Sequence, residues 1–244
     1  MEESQNKLLI PIAILIAGSL IAWGIFTTRE KTPTINNSAT DTSGQTTSQI
    51  TKNTVEIKDS DYILGNPDAD LIFITFSDFE CGFCKIFHQT MHQIIDEYGK
   101  NGQVAWIFRQ TPIYGVTAEE KAAAARCAGQ LGNNTKFWEM SDKIFQTEFS
   151  KEKKFVVEQL TEIARFIKLD EDKFVKCLNS KAILEEVQQE YQNGVDTGIL
   201  GTNTTQGGTP HTVILTRMGR TYPINGAQPY SVIKPIIDLI IKGQ

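Results

Sequence analysis

The stretch DLIFITFSDFECGFCKIFHQTMHQIIDEYGKNGQVAWIFR, residues 70–109, decides the fold. Its opening, Asp70 to Phe76, is a short apolar run of isoleucine and phenylalanine, the composition of a buried strand. From Cys84 onward the apolar residues fall at Phe87, Met91, Ile94, Ile95 and Tyr98, which is helical spacing, and Gly99 and Gly102 mark its expected end. Gln103 to Arg109 reads as a second strand. A strand, a helix and a strand with a connection this long imply a right-handed parallel βαβ unit.

Beyond residue 110 the pattern turns helical. Thr117-Ala118-Glu119-Glu120 reads as a capping box ahead of the alanine-rich KAAAARCAGQ. Further helices are expected around 135–147, 153–168, 171–178 and 181–191. His211–Thr216 and Arg220–Ile224, joined by Met218-Gly219, suggest an antiparallel hairpin, and a last amphipathic helix runs from about Pro229 to Ile241. The expected fold class is α/β: βαβ, an all-helical insertion at about 117–196, then ββα, within a domain spanning 55–244.

The N-terminal quarter is of another kind. After a short tail, 1–7, residues 8–26 (LLIPIAILIAGSLIAWGIF) carry no charge. As a helix they extend about 28 Å, against a hydrocarbon core of about 30 Å. A cleavable export signal has a shorter apolar core and a small-residue cleavage site, and no such site stands out. The expectation is an uncleaved transmembrane signal anchor. Lys7 precedes the span and Arg29 and Lys31 follow it, so basic residues do not decide its orientation. Residues 27–54 are rich in Thr, Ser and Asn and are read as a disordered linker, since they bury too little apolar surface to offset ordering. The net charge of −5 is mild and there is no basic block, so nothing in the sequence suggests nucleic-acid binding.

The chemistry centres on Cys81 and Cys84, at the strand-to-helix junction. Unpaired amides of a helix's first turn favour an anion there, so the Cys81 thiolate is expected to form below the free value of about 8.5. Cys84, one turn on, shares the apolar face of Phe87 and Met91 and is expected to be sheltered, with Cys81 exposed. Such a pair suits thiol–disulfide exchange, in which Cys81 reacts and Cys84 resolves. A zinc site from Cys81, Cys84, His88 and His92 fails on distance: Cys81 and His92 lie about 16 Å apart along a helix, whereas zinc ligands sit about 2.0–2.3 Å from the metal. Cys84 with His88 supplies two ligands at most, and no second pair has suitable spacing. No metal or cofactor is therefore expected, and His88 and His92 are read as lying on a solvated edge. A purely structural CxxC disulfide constrains little chain.

At this point the sequence resembles the DsbA-like thioredoxin-fold thiol:disulfide oxidoreductases, in their exported, membrane-anchored branch. The resemblance covers about residues 60–242. It rests on LGNPDAD (64–70), FSDFECGFC (76–84), KFWEM (136–140), Gly208-Thr209-Pro210 before a strand, and GAQPY (226–230). It implies a thioredoxin-like fold and a cis Thr209–Pro210 bond facing the sulfurs, beside an edge open to substrate backbone; an ordinary loop proline is the alternative. It also favours a Cys127–Cys177 disulfide, worth about 4 kcal/mol in the chain-entropy model, and with it an oxidising compartment. The alternative leaves both cysteines buried and unpaired. The function implied is extracytoplasmic: disulfides introduced through Cys81-Gly82-Phe83-Cys84 into reduced exported proteins, by a monomer on the cell membrane. A quinone-linked membrane partner of the DsbB or vitamin-K-epoxide-reductase type reoxidises it. Alternatives are a reductase or isomerase of the same fold, or a tethered peptide-binding module without redox turnover. Two departures stand out. Thr75 replaces the acid that relatives commonly carry six positions before the first cysteine. Gly82-Phe83 lacks the histidine of the most oxidising members, which predicts a milder oxidant.

Overall fold

The computed structural model describes residues 55–198 and 208–243. The expected tail, anchor and linker (1–54) lie outside the described residues, as does the polar loop 199–207. Among the described residues no helix is long and apolar enough to cross a membrane.

The sheet is built on β2 (Leu71–Ser77) and β3 (Val104–Gln110), whose residues are all buried, as the apolar runs predict. They pair in parallel, Phe73 against Trp106, across the helix α1 (Gly82–Ile94). A five-residue π-helical turn, Ile95–Gly99, carries the helix on to Gly99, where its end is expected, and Gly102 then turns the chain with φ +71°. On the far side of β2 lies β4 (His211–Thr216), antiparallel, followed by β5 (Thr221–Asn225). Pro223 is tolerated in β5 because that strand is at the sheet's edge, where one row of amides needs no partner. The sequence reading missed β1 (Ile63–Gly65), a three-residue strand that pairs antiparallel with β3, giving the order β1-β3-β2-β4-β5.

Side chains alternate between the faces of the sheet. Leu71, Phe73, Trp106 and Phe108 meet α1, the helical insertion and α7 (Tyr230–Lys242). Ile72, Ile74, Phe76 and Ile107 form a second core with Val55 and Val213, against which Tyr191 and Val195 pack. Burying each such side chain contributes roughly 1.5–3 kcal/mol before chain entropy is counted.

The insertion comprises α2 (Val116–Leu131), α3 (Asn134–Gln146), α4 (Lys153–Phe166), α5 (Glu171–Leu178) and α6 (Lys181–Asp196). The alanine run of α2 is buried almost throughout, which small side chains allow when helices close in from several sides. Its start corrects the capping-box reading. The cap is Gly115, at φ +90°, and Thr117 already lies within the helix. With no Cβ, Gly115 turns the chain into α2 two residues earlier than the Thr117 signal implied.

Candidate active site: a dithiol with divided protons

Cys81 caps α1 with extended backbone, φ −80° and ψ 117°, and Cys84 follows one turn on. Position at the helix start explains the Cys81 environment. Its pKa is lowered to about 5, first by the Cys84 thiol, which donates to the sulfur, and then by the Thr209 hydroxyl and the amides of Cys84 and Phe83; burial opposes them. Cys84 is pushed the other way, far above the ordinary thiol range, first by burial and then by sharing its proton with Cys81. The amide of Asp78 donates to Cys84 Sγ at 3.4 Å.

Thr209–Pro210 is a cis peptide, and it lies against the dithiol. Cys81 Sγ is 3.3 Å from the Thr209 carbonyl oxygen, to which its thiol form donates. The Thr209 hydroxyl is buried and has no geometric partner among the described residues, so it is free to donate to a thiolate. This segment also changes the expected exposure: Cys81 is 5% accessible rather than open, because Thr209 covers the sulfur. Cys81 also lines a cleft. That cleft, of about 410 Å³, has Cys81, Phe79, Phe145 and Phe149 in its lining and lysines 85, 121 and 151 along it. Lys121 is held by Glu80 at 2.6 Å. Phe83 and Tyr114 stand exposed.

At Thr75, where the resemblance implies an acid, the chain carries a neutral network. Thr75 Oγ1 accepts from Trp106 Nε1 at 3.0 Å and meets Thr212 Oγ1 at 3.0 Å. Asp78, an acid near the dithiol to which the sequence assigns no role, is buried. Its buried carboxylate accepts from the amides of Glu80 (2.7 Å), Ile113 (2.6 Å) and Tyr114 (3.0 Å), which fastens the loop before α2 to the loop carrying Cys81. Burial raises its pKa and these three amides pull it back. Its sequence signal was weak, since an aspartate after a strand is usually solvated.

Cys127 on α2 and Cys177 on α5 are joined by a disulfide within the insertion, 50 residues apart in sequence. His88 overturns the solvated-edge reading. It is 5% accessible, packed against Trp106 and Phe145, and bonded with His92 to Asp142 of α3. Burial pushes the Asp142 carboxyl up, but the two histidine contacts outweigh it and hold it at about 2.

A thioredoxin family model matches residues 58–205. The probable disulfide bond formation protein D of Bacillus anthracis is 28% identical over 131 residues, 52% of this chain and 60% of that protein. A putative protein-disulfide oxidoreductase of Rickettsia conorii is 26% identical over 168 residues, 64% of this chain and 59% of that protein. The chain thus spans about 60% of the length of these curated relatives. The crystal structure of Wolbachia pipientis alpha-DsbA1 superposes with a TM-score of 0.66 at 20% identity, covering 77% of this chain and 96% of that one, a likeness of fold. With the family match extending over more than half of its residues, the chain belongs to the DsbA-like thioredoxin-fold thiol:disulfide oxidoreductase family.

Proposed function

We propose that this protein oxidises dithiols in exported proteins, on the extracytoplasmic side of a membrane to which residues 8–26 anchor it. The observation that carries the reading is the geometry of the dithiol: Cys81 caps α1 against the cis Thr209–Pro210 bond with Cys84 buried one turn on, an arrangement that lowers the Cys81 pKa and raises that of Cys84. A substrate thiolate attacks Cys81 Sγ of the 81–84 disulfide. The S–S bond breaks, Cys84 leaves and takes up a proton, and a mixed disulfide forms. The second substrate thiolate attacks the substrate's own sulfur and expels Cys81 as a thiolate. Two electrons have then passed from substrate to protein. Cys81 is a good leaving group because its thiolate is stabilised, and that stabilisation of the reduced form makes the disulfide oxidising. At pH 7 a shift in this direction favours the reduced form and makes the disulfide more oxidising than an unperturbed pair.

The Cys127–Cys177 bond supports an oxidising compartment. The electrons must leave again, and a quinone-linked membrane protein of the DsbB or vitamin-K-epoxide-reductase type is the class of acceptor that fits an anchored oxidase. Equilibration of the full chain in graded glutathione buffers tests the direction. A potential well above that of thioredoxin, about −270 mV, supports oxidation; a potential at or below it makes the protein a reductase. A Cys81→Ser variant that retains full biological activity leaves only the non-redox peptide-binding reading.

A further inference from the structure

One cluster lies outside the dithiol machinery. His88 and His92 stand one turn apart on α1, and Asp142 reaches them from α3. The two Nε2 atoms are 2.7 and 2.8 Å from the same Asp142 Oδ1 and 3.1 Å from each other. Protons satisfy only two edges of this triangle, because both rings donating to Oδ1 leaves the 3.1 Å His–His contact unmatched. A carboxylate only accepts, and a neutral ring nitrogen either donates or accepts. If both rings are protonated at Nε2, both donate to Oδ1 and their N–H groups crowd each other. If one is bare, its lone pair faces the carboxylate. A cation at the centre satisfies all three lone pairs at once.

We propose that His88, His92 and Asp142 bind a divalent transition-metal ion, zinc being the ion that their donor set suits best. Two imidazole nitrogens and one carboxylate oxygen are zinc donors of ordinary type, and three protein ligands leave a fourth position for water. All three ligand atoms lie within 4.8 Å of one another. Tetrahedral bonds of about 2.0–2.1 Å set ligand atoms about 3.3 Å apart, so the edges of 2.7, 2.8 and 3.1 Å open by about 0.6, 0.5 and 0.2 Å.

Solvent reaches the position from one side. The side chains of His92 and Asp142 are about a third exposed, at 35% and 33%. Asp142 also lines a shallow surface cleft of about 390 Å³ with Lys136, Glu139 and Lys143. On the other side Trp106 and Phe145 hold the His88 ring, with centroids 5.0 and 4.6 Å away. That packing takes the place of the acceptor that usually orients a zinc-bound imidazole, since His88 Nδ1 is buried without a partner among the described residues. The ion would fasten the helix that carries Cys81 to the insertion, and zinc exchanges no electrons with the dithiol. Sequence spacing showed the two histidines; the missing ligand was Asp142, 50 residues from His92 and brought in by the fold.

The test uses the full chain, oxidised so that Cys81 and Cys84 are bonded to each other and cannot ligate. It is stripped with chelator and titrated with zinc against a chromogenic chelator. One equivalent should bind per chain and raise Tm by roughly 5–10 °C at a hundredfold excess over Kd. Cobalt in place of zinc should give tetrahedral visible bands without sulfur charge transfer. His92→Gln and Asp142→Asn should each abolish binding and the Tm rise while thiol-exchange turnover persists, which reports an intact fold. No binding to the oxidised chain, or stoichiometric binding retained in either variant, overturns the proposal.

Discussion

Removing the second disulfide, by Cys127→Ala with Cys177→Ala, should lower stability greatly and chemistry hardly at all. The bond closes a loop of 50 residues in the unfolded chain. In the chain-entropy model that closure removes about 14 cal/mol/K, or about 4 kcal/mol at 25 °C. Cys127 is fully buried in α2, so its truncation adds a small cavity cost to the lost cross-link. For a domain of this size the sum lowers Tm by roughly 8–16 °C. Both sulfurs belong to the insertion, whereas Cys81 and Cys84 sit at the start of α1. Thiol-exchange turnover at 25 °C should therefore stay within about twofold. The assay pairs calorimetric melts with turnover on a reduced model substrate, both on the full chain. A fall in Tm below about 2 °C would refute the entropic reasoning. Turnover lost well below the variant's Tm would show that the bond shapes the site rather than the unfolded chain. In the parent protein, reduction of the 81–84 disulfide should expose two thiols under mild reductant, with four appearing only under harsher conditions.

Other outcomes follow from the same geometry. Because the Cys81 pKa falls from 9.0 unfolded to about 5 folded, the thiolate stabilises the reduced form. That contribution is full above pH 9, shrinks by about 1.4 kcal/mol per unit as pH falls, and vanishes below about 5. The reduced-minus-oxidised difference in urea unfolding should therefore climb between pH 5 and 8, and a flat difference would contradict the shift. Asp61→Ala should cost about 3–5 kcal/mol, since it strands the buried Arg109 guanidinium that Asp61 clasps through Nε at 3.0 Å and Nη2 at 2.7 Å. Equilibrium unfolding measures it, and a loss under about 1 kcal/mol would mean that Glu56, whose carbonyl also accepts from Arg109, satisfies the charge alone.

Most of the scaffold was legible in the sequence because its signals are local. The apolar runs of β2 and β3 and the spacing of Phe87, Met91 and Ile94 each fix one element without reference to the rest. What was not legible depended on contacts distant in sequence. β1 is three residues long, too short to show a period, and exists because β3 offers it an edge. Thr117 looked like a cap until Gly115 turned the chain earlier. Cys81 is expected to be exposed, and among the described residues Thr209, 128 positions later, lies against its sulfur. His88 carried no local mark of burial, since its walls, Trp106 and Phe145, come from β3 and α3. The cysteine pairing and the cis proline followed from family resemblance rather than from residue spacing.

The proposed chemistry depends most on the charge state of Cys81. Thiolate ultraviolet absorbance of the reduced full chain, followed from acid to neutral pH, reads that charge directly, with Cys81→Ser as the blank. The predicted transition has its midpoint near 5 and disappears in the variant. A midpoint near the free-cysteine value of about 8.5 would contradict the proposed mechanism at its source.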